Sequence, residues 1–211
     1  MRGGNTRSTL HGIVAGILML AGAATPGQPT AHADAFRLAP WPQVAHSPAF
    51  HLVDANGARR TLWDYRGKVV VVFFGFLRCP GVCSAAMHRL ALVMKQLGER
   101  AARVQGLFIT LDPQRDGPKL LKSYLQAFDP HFVSLTGTTA QVNQATSSFH
   151  VQYTRVPQGD DYTIAHSTAT LILDDIGQLR LVAAVDTPVA DLVHDIAELM
   201  AEPAYRSEEA Q

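Results

Sequence analysis

The chain has 211 residues, 47% of them hydrophobic and 17% charged, with 18 Lys+Arg balancing 18 Asp+Glu. That length suits one domain, and the apolar share is enough for a core, which excludes a mainly disordered chain. Balanced charge without a basic run excludes a nucleic-acid binder of the basic-surface kind, and two cysteines exclude a disulfide-stapled mini-domain, a four-cysteine zinc site and an iron–sulfur cluster.

Residues 1–33 read as an export signal. Arg2 and Arg7 give a positive start, Leu10 to Ala24 is an apolar stretch of 15 residues, and Ala31-His32-Ala33 offers a cleavage site before Asp34. The stretch is short of the roughly 18–20 residues that span a bilayer as a helix. Cleavage after Ala33 is expected, with a retained anchor as the alternative. The absence of a nearby cysteine and of an adjacent Arg pair argues against lipid attachment and a twin-arginine signal. Either way, the working domain is expected outside the cytoplasm, in the periplasm or anchored to the outer face of the cytoplasmic membrane. In such a compartment a nearby cysteine pair persists as a disulfide.

Residues 34–48 hold three prolines without a clear period, so 34–47 is read as a tether and 48–202 as the domain. Phe50–Val53 and Ala58–Leu62 flank an Asn56-Gly57 turn and predict a hairpin. Lys68–Phe76 is a continuous β-branched and aromatic run, the pattern of a strand buried on both faces. Cys83–Gly98 carries Met87, Leu90, Ala91, Met94 and Leu97 at helical spacing. Val104–Leu111 predicts a strand, Pro118–Phe128 a helix, Phe132–Leu135 a short strand and Thr139–Phe149 a short helix. His150–Arg155 and Ser167–Leu173 read as strands, and Gln178–Ala184 as the return strand after an Asp-rich turn. Pro188–Met200 closes as an amphipathic helix with Pro in its first turn. Residues 203–211 are expected to form a disordered tail. The alternation predicts an α/β fold: a thioredoxin-like mixed sheet flanked by helices, with an N-terminal β-hairpin and an insertion before the C-terminal ββα unit.

The sharpest chemical signal is Cys79-Pro80-Gly81-Val82-Cys83, between a buried strand and a helix, where sites form in open α/β sheets. Pro80 fixes φ and Gly81 permits a tight turn, so Cys79 ends a loop and Cys83 enters the helix. Positions i and i+4 share a helical face, and a helix N-terminus lowers thiol pKa, so two thiolates are expected to face one ion. The plainer reading is two core cysteines acting as small hydrophobes. The spacing is neither the dithiol-exchange C-x-x-C nor the haem-attaching C-x-x-C-H. Two thiolates suit Cu(I), and an imidazole is the expected further donor. Of nine histidines, most read as surface or hydrogen-bonded residues. His166 stands out because the strand it precedes is expected beside the cysteine strand, and His150 is the competing choice.

The runs FGFLRCPGVCSAAM, FITLDPQRDGP, YLQAFDPHFVSLTGT and DYTIAHSTATLILDDIG together resemble the Sco/SenC copper-chaperone family over roughly residues 47–201. The resemblance implies a thioredoxin-like fold with one copper, as Cu(I) or Cu(II), held by Cys79, Cys83 and His166. It also implies a role in building the binuclear copper centre of cytochrome c oxidase subunit II, as metallochaperone, as a thiol reductase working through Cys79 and Cys83, or as both. A copper donor and a thiol reductant are then expected as further partners of a monomer. The family commonly carries an acid at Gly81, Pro at Ser84 and often His at Arg78, so a more positive site that disfavours Cu(II) is expected. Asp112 matches a family aspartate near the site, and a plain strand-end turn residue is an equal reading. Met87 reads as core packing rather than as a thioether donor. Thioredoxins oppose their cysteines with a cis-proline; the comparable stretch here is Ala165-His166-Ser167, which suggests a ligand in its place.

Overall fold

The computed structural model describes residues 36–42 and 47–202. The expected export signal at 1–33 and tail at 203–211 lie outside the described residues. In chain order the elements are β1 (Ala39–Pro40), β2 (Leu52–Asp54), β3 (Arg59–Arg60), β4 (Val69–Gly75), α1 (Val82–Leu97), β5 (Val104–Thr110), α2 (Pro118–Gln126) and β6 (Val133–Thr136). They continue as α3 (Thr139–Ser148), β7 (Tyr153–Gln158), β8 (Asp161–His166), β9 (Thr170–Leu173), β10 (Leu179–Ala183) and α4 (Val189–Ala201). Among these described residues, no helix is long and apolar enough to cross a membrane.

Eight strands form one mixed sheet in the order β1-β10-β9-β4-β5-β6-β2-β3. All seven residues of β4 are buried, as its unbroken apolar sequence predicts for a central strand covered on both faces. It pairs parallel with β5 through the α1 crossover and antiparallel with β9. Helix α1 packs against α4, α4 against β4, and α2 against β6. The start of α1 rests on Gly81, at φ 100°, with no side-chain cap. Helix α2 opens on Pro118 at its first turn. Helix α3 has a capping box in which Thr138 and Gln141 satisfy each other's free amides.

Two expectations are corrected. The segment read as a tether is partly built into the domain: β1 pairs with β10, and Leu38 is buried. The cause is Asp195 on α4, a fully buried carboxylate that accepts the backbone N–H groups of Arg37 and Leu38, the latter at 2.7 Å. Second, the strand predicted over His150–Arg155 starts later, at Tyr153, and runs to Gln158, where Gly159-Asp160 turns the chain into a further strand, Asp161–His166. β7 and β8 make a two-stranded antiparallel sheet of their own, in register from Tyr153↔His166 to Gln158↔Asp161. The strand read as Ser167–Leu173 shortens to β9, which begins at Thr170. His166 therefore ends a hairpin strand, just before the one that borders β4.

Candidate metal centre

Strand β4 delivers the chain to the site, and Gly75 at its end lets Cys83 in. A Cβ at Gly75 would lie 2.9 Å from Cys83 Sγ, closer than van der Waals contact allows. The turn after β4 is held from outside by Asp116, whose Oδ2 accepts Leu77 N–H at 3.0 Å and the Thr110 hydroxyl at 2.7 Å. Its burial raises the carboxyl pKa above the usual range, while the Thr110 hydrogen bond opposes the rise.

Cys79 does not share a helical face with Cys83, contrary to the i, i+4 argument. It lies before α1, half-buried, and the positive φ of Gly81 folds the chain back so that Cys83 N–H points at Cys79 Sγ at 3.4 Å. The two sulfurs converge through this turn. Burial also overrides the helix N-terminus at Cys83. It pushes that thiol far above its ordinary pKa, the adjacent Cys79 adds to the rise, and a backbone hydrogen bond at Phe76 only partly opposes it.

His166 reaches the pair from β8. Its Nε2 is 3.8 Å from Cys83 Sγ, and its Nδ1 is 2.7 Å from the Ser167 carbonyl. A carbonyl only accepts, so the proton is assigned to Nδ1 and the Nε2 lone pair faces the sulfurs. Burial lowers the imidazole pKa below 6.5, with the Ser167 bond opposing, so the neutral donor form is favoured. Phe73 and Phe76 meet the ring edge-on at 6.4 and 5.8 Å. Among the described residues, one ligating group of His, Cys, Asp or Glu side chains comes together: Cys79, Cys83 and His166, with donor atoms within 4.8 Å of one another.

The competing His150 lies two residues beyond α3 instead, exposed and left-handed at φ 54°. Met87 is buried in the core face of α1, as the packing reading has it. Arg78 is not the uncompensated charge that was expected, because Asp161 pairs with it at 2.9 Å. Asp112 is more than a turn residue: fully buried, it accepts from Arg115 Nε and, at 2.8 Å, from the Tyr162 hydroxyl. Sequence reasoning missed Arg115, Asp116, Asp161 and Tyr162. Two of them sit inside the FITLDPQRDGP run, which was the available signal.

Fold and donor set define a class: a thioredoxin-like domain whose paired cysteines are joined by an imidazole. The SCO1/SenC family model matches residues 40–201, and the chain belongs to that family. It is similar to human mitochondrial SCO2 homolog, 39% identical over 132 residues covering 61% of this chain and 50% of that protein. A SCO2-like protein of Rickettsia prowazekii is 36% identical over 61% of this chain and 64% of its own length. The chain thus spans between half and two thirds of these curated relatives. Among solved structures it is similar to copper-bound ScoI of Bradyrhizobium japonicum, at 31% identity and TM-score 0.68 over 72% of this chain and 98% of that one. Copper-bound yeast Sco1 aligns at 31% identity and TM-score 0.70, over 78% of this chain and 93% of that one.

Proposed function

We propose that the protein is an extracytoplasmic copper metallochaperone, with Cys79, Cys83 and His166 holding one copper ion per chain as cargo. Its target in this reading is the binuclear copper centre of cytochrome c oxidase subunit II. The observation that carries the reading is the convergence of two sulfurs and one imidazole nitrogen within 4.8 Å. Two thiolates suit Cu(I), and an added nitrogen lets the same site accept Cu(II). The copper-bound relatives support the choice of metal. Half-buried Cys79 lies outermost of the two sulfurs and is the first that an acceptor reaches. Exchange with an acceptor thiolate therefore begins there, while Cys83 and His166 retain the ion from inside. The export signal read at 1–33 supports delivery outside the cytoplasm, with 48–202 and the tied-in segment around Leu38 as the working domain.

A second reading has an observation in its favour. A half-buried and a buried cysteine in one turn are arranged as attacking and resolving thiols, so the pair could reduce a target disulfide while being oxidised to its own disulfide. That chemistry needs no imidazole. The test is His166→Ala expressed in a strain lacking the protein, at low copper. Loss of oxidase activity that added copper restores supports copper delivery. Full oxidase activity would falsify it and leave the reductase.

A further inference from the structure

The hairpin that ends in His166 shares no ladder with the eight-stranded sheet, so backbone pairing does not fix where β8 lies over the cysteine turn. Side chains do. Arg115, in the turn after β5, donates from Nη1 to Asp161 Oδ1 at 2.7 Å and to the Tyr162 carbonyl at 2.9 Å. Its guanidinium carbon sits 3.6 Å over the Tyr162 ring, and its Nε binds Asp112. The Tyr162 hydroxyl donates to the other Asp112 oxygen at 2.8 Å. Asp161 turns its second oxygen to Arg78 Nη1 at 2.9 Å, and Arg78 adjoins Cys79.

One carboxylate therefore joins the start of β8 to the cysteine turn, and one guanidinium joins both to the core. The exposed Arg78–Asp161 pair contributes little alone. The inner pair differs, because the Asp112 side chain has no exposure and that of Arg115 has 14%. An Asp112 oxygen out of water keeps its partner only while Tyr162 is docked, and leaving it unpaired is costly. We infer that Arg115 is a positioning residue. It latches hairpin β7–β8 through Asp112, Asp161 and Tyr162, and so sets His166 Nε2 against the two sulfurs. The inference rests on the reading of Cys79, Cys83 and His166 as copper ligands. It distinguishes the two oxidation states: Cu(I) is satisfied by two thiolates, whereas Cu(II) depends on the placement of the nitrogen.

The test uses the reduced full chain with Cu(II) and Cu(I) added separately, in the variants Arg115→Lys, Tyr162→Phe, Asp161→Asn and His166→Ala. The latch variants are expected to weaken Cu(II) binding about tenfold and to change its nitrogen hyperfine coupling, with Cu(I) affinity held within about twofold. Arg115→Lys keeps the charge but not the fork, so its Cu(II) loss shows that charge alone does not hold the latch. Should Arg115→Lys not fold, Tyr162→Phe and Asp161→Asn decide, since they remove a single hydroxyl and a surface charge. Unchanged Cu(II) spectra in these variants overturn the latch, as does equal loss of both copper states along with thermal stability. His166→Ala separates the two levels. If it leaves the Cu(II) spectrum unchanged, the ligand assignment itself fails; if it changes the spectrum while the latch variants do not, only the latch fails.

Discussion

His166 Nε2 lies 3.8 Å from Cys83 Sγ across 83 positions of sequence, with its other ring nitrogen tied to the Ser167 carbonyl. That contact brings a β-hairpin to a helix start and makes a donor set from residues that are individually unremarkable. In a free reduced thiol it is a weak hydrogen bond at most; with a metal between the two atoms it becomes a shared coordination sphere.

His166→Ala is expected to lower Cu(II) affinity by at least about tenfold and to leave Cu(I) affinity nearly unchanged, because Cu(I) stays two-coordinate between the thiolates. Cu(II) spectra should lose a nitrogen ligand. A spectral change in His150→Ala instead of His166→Ala would overturn the choice of His166 and make His150 the ligand.

Replacing both Cys79 and Cys83 by Ser should abolish tight Cu(I) binding in a chelator competition. In the reduced apo-protein, alkylation should label the more exposed Cys79 first and Cys83 at least about tenfold more slowly, since burial disfavours the Cys83 thiolate. Oxidation in air should close the pair as an intramolecular disulfide, read as protection of both sulfurs in a mass measurement.

Gly75→Ala places a methyl group 2.9 Å from both Cys83 Sγ and Phe73 Cε1. Overpacking of this kind costs about 1–3 kcal/mol. Chemical denaturation should show that loss, and Cu(I) affinity should fall with it because the displaced atom is a donor. A variant with wild-type stability and binding contradicts the close approach.

The His166 imidazole has a folded-state pKa below its free value of 6.5. Above that value it is neutral in both states and contributes no pH dependence. As pH falls through it, the unfolded chain takes up a proton that the folded chain resists, so stability declines on acidification. The raised carboxyls of Asp116 and Asp174 act in the opposite sense, their cost being relieved as they protonate, and they are common to wild type and a His166 variant. Apo wild type should therefore lose more stability than His166→Gln between about pH 7.5 and 5.5 in denaturant titrations. Parallel pH curves exclude the shift.

Asp195→Ala leaves the buried amide of Leu38 and that of Arg37 without their acceptor. A loss of about 1–3 kcal/mol is expected, together with faster hydrogen exchange at β1. If exchange there is unchanged, the N-terminal segment is held by something other than this carboxylate.

The sequence by itself determined the central strand, the cysteine turn and the helix behind it. Each is written in short-range chemistry: the continuous apolar run of Val69 to Phe74, the pairing of Pro80 with Gly81, and the helical spacing from Met87 to Leu97. It also supplied the three donors, His166 partly through resemblance to a family. The β7–β8 hairpin was legible only at the start of β7, because that strand is exposed along most of its length and β8, largely half-buried, lacks regular alternation. Tertiary structure alone decided how the sulfurs meet and which way the Cys83 pKa moves, since desolvation depends on everything packed around the thiol. It also decided that Arg78 is neutralised by Asp161 and that Leu38 is bound by Asp195, 157 positions away. Turn chemistry and periodicity are local, so one window of residues reveals them. Burial and the pairing of distant charges are properties of the closed chain and exist only once it has folded.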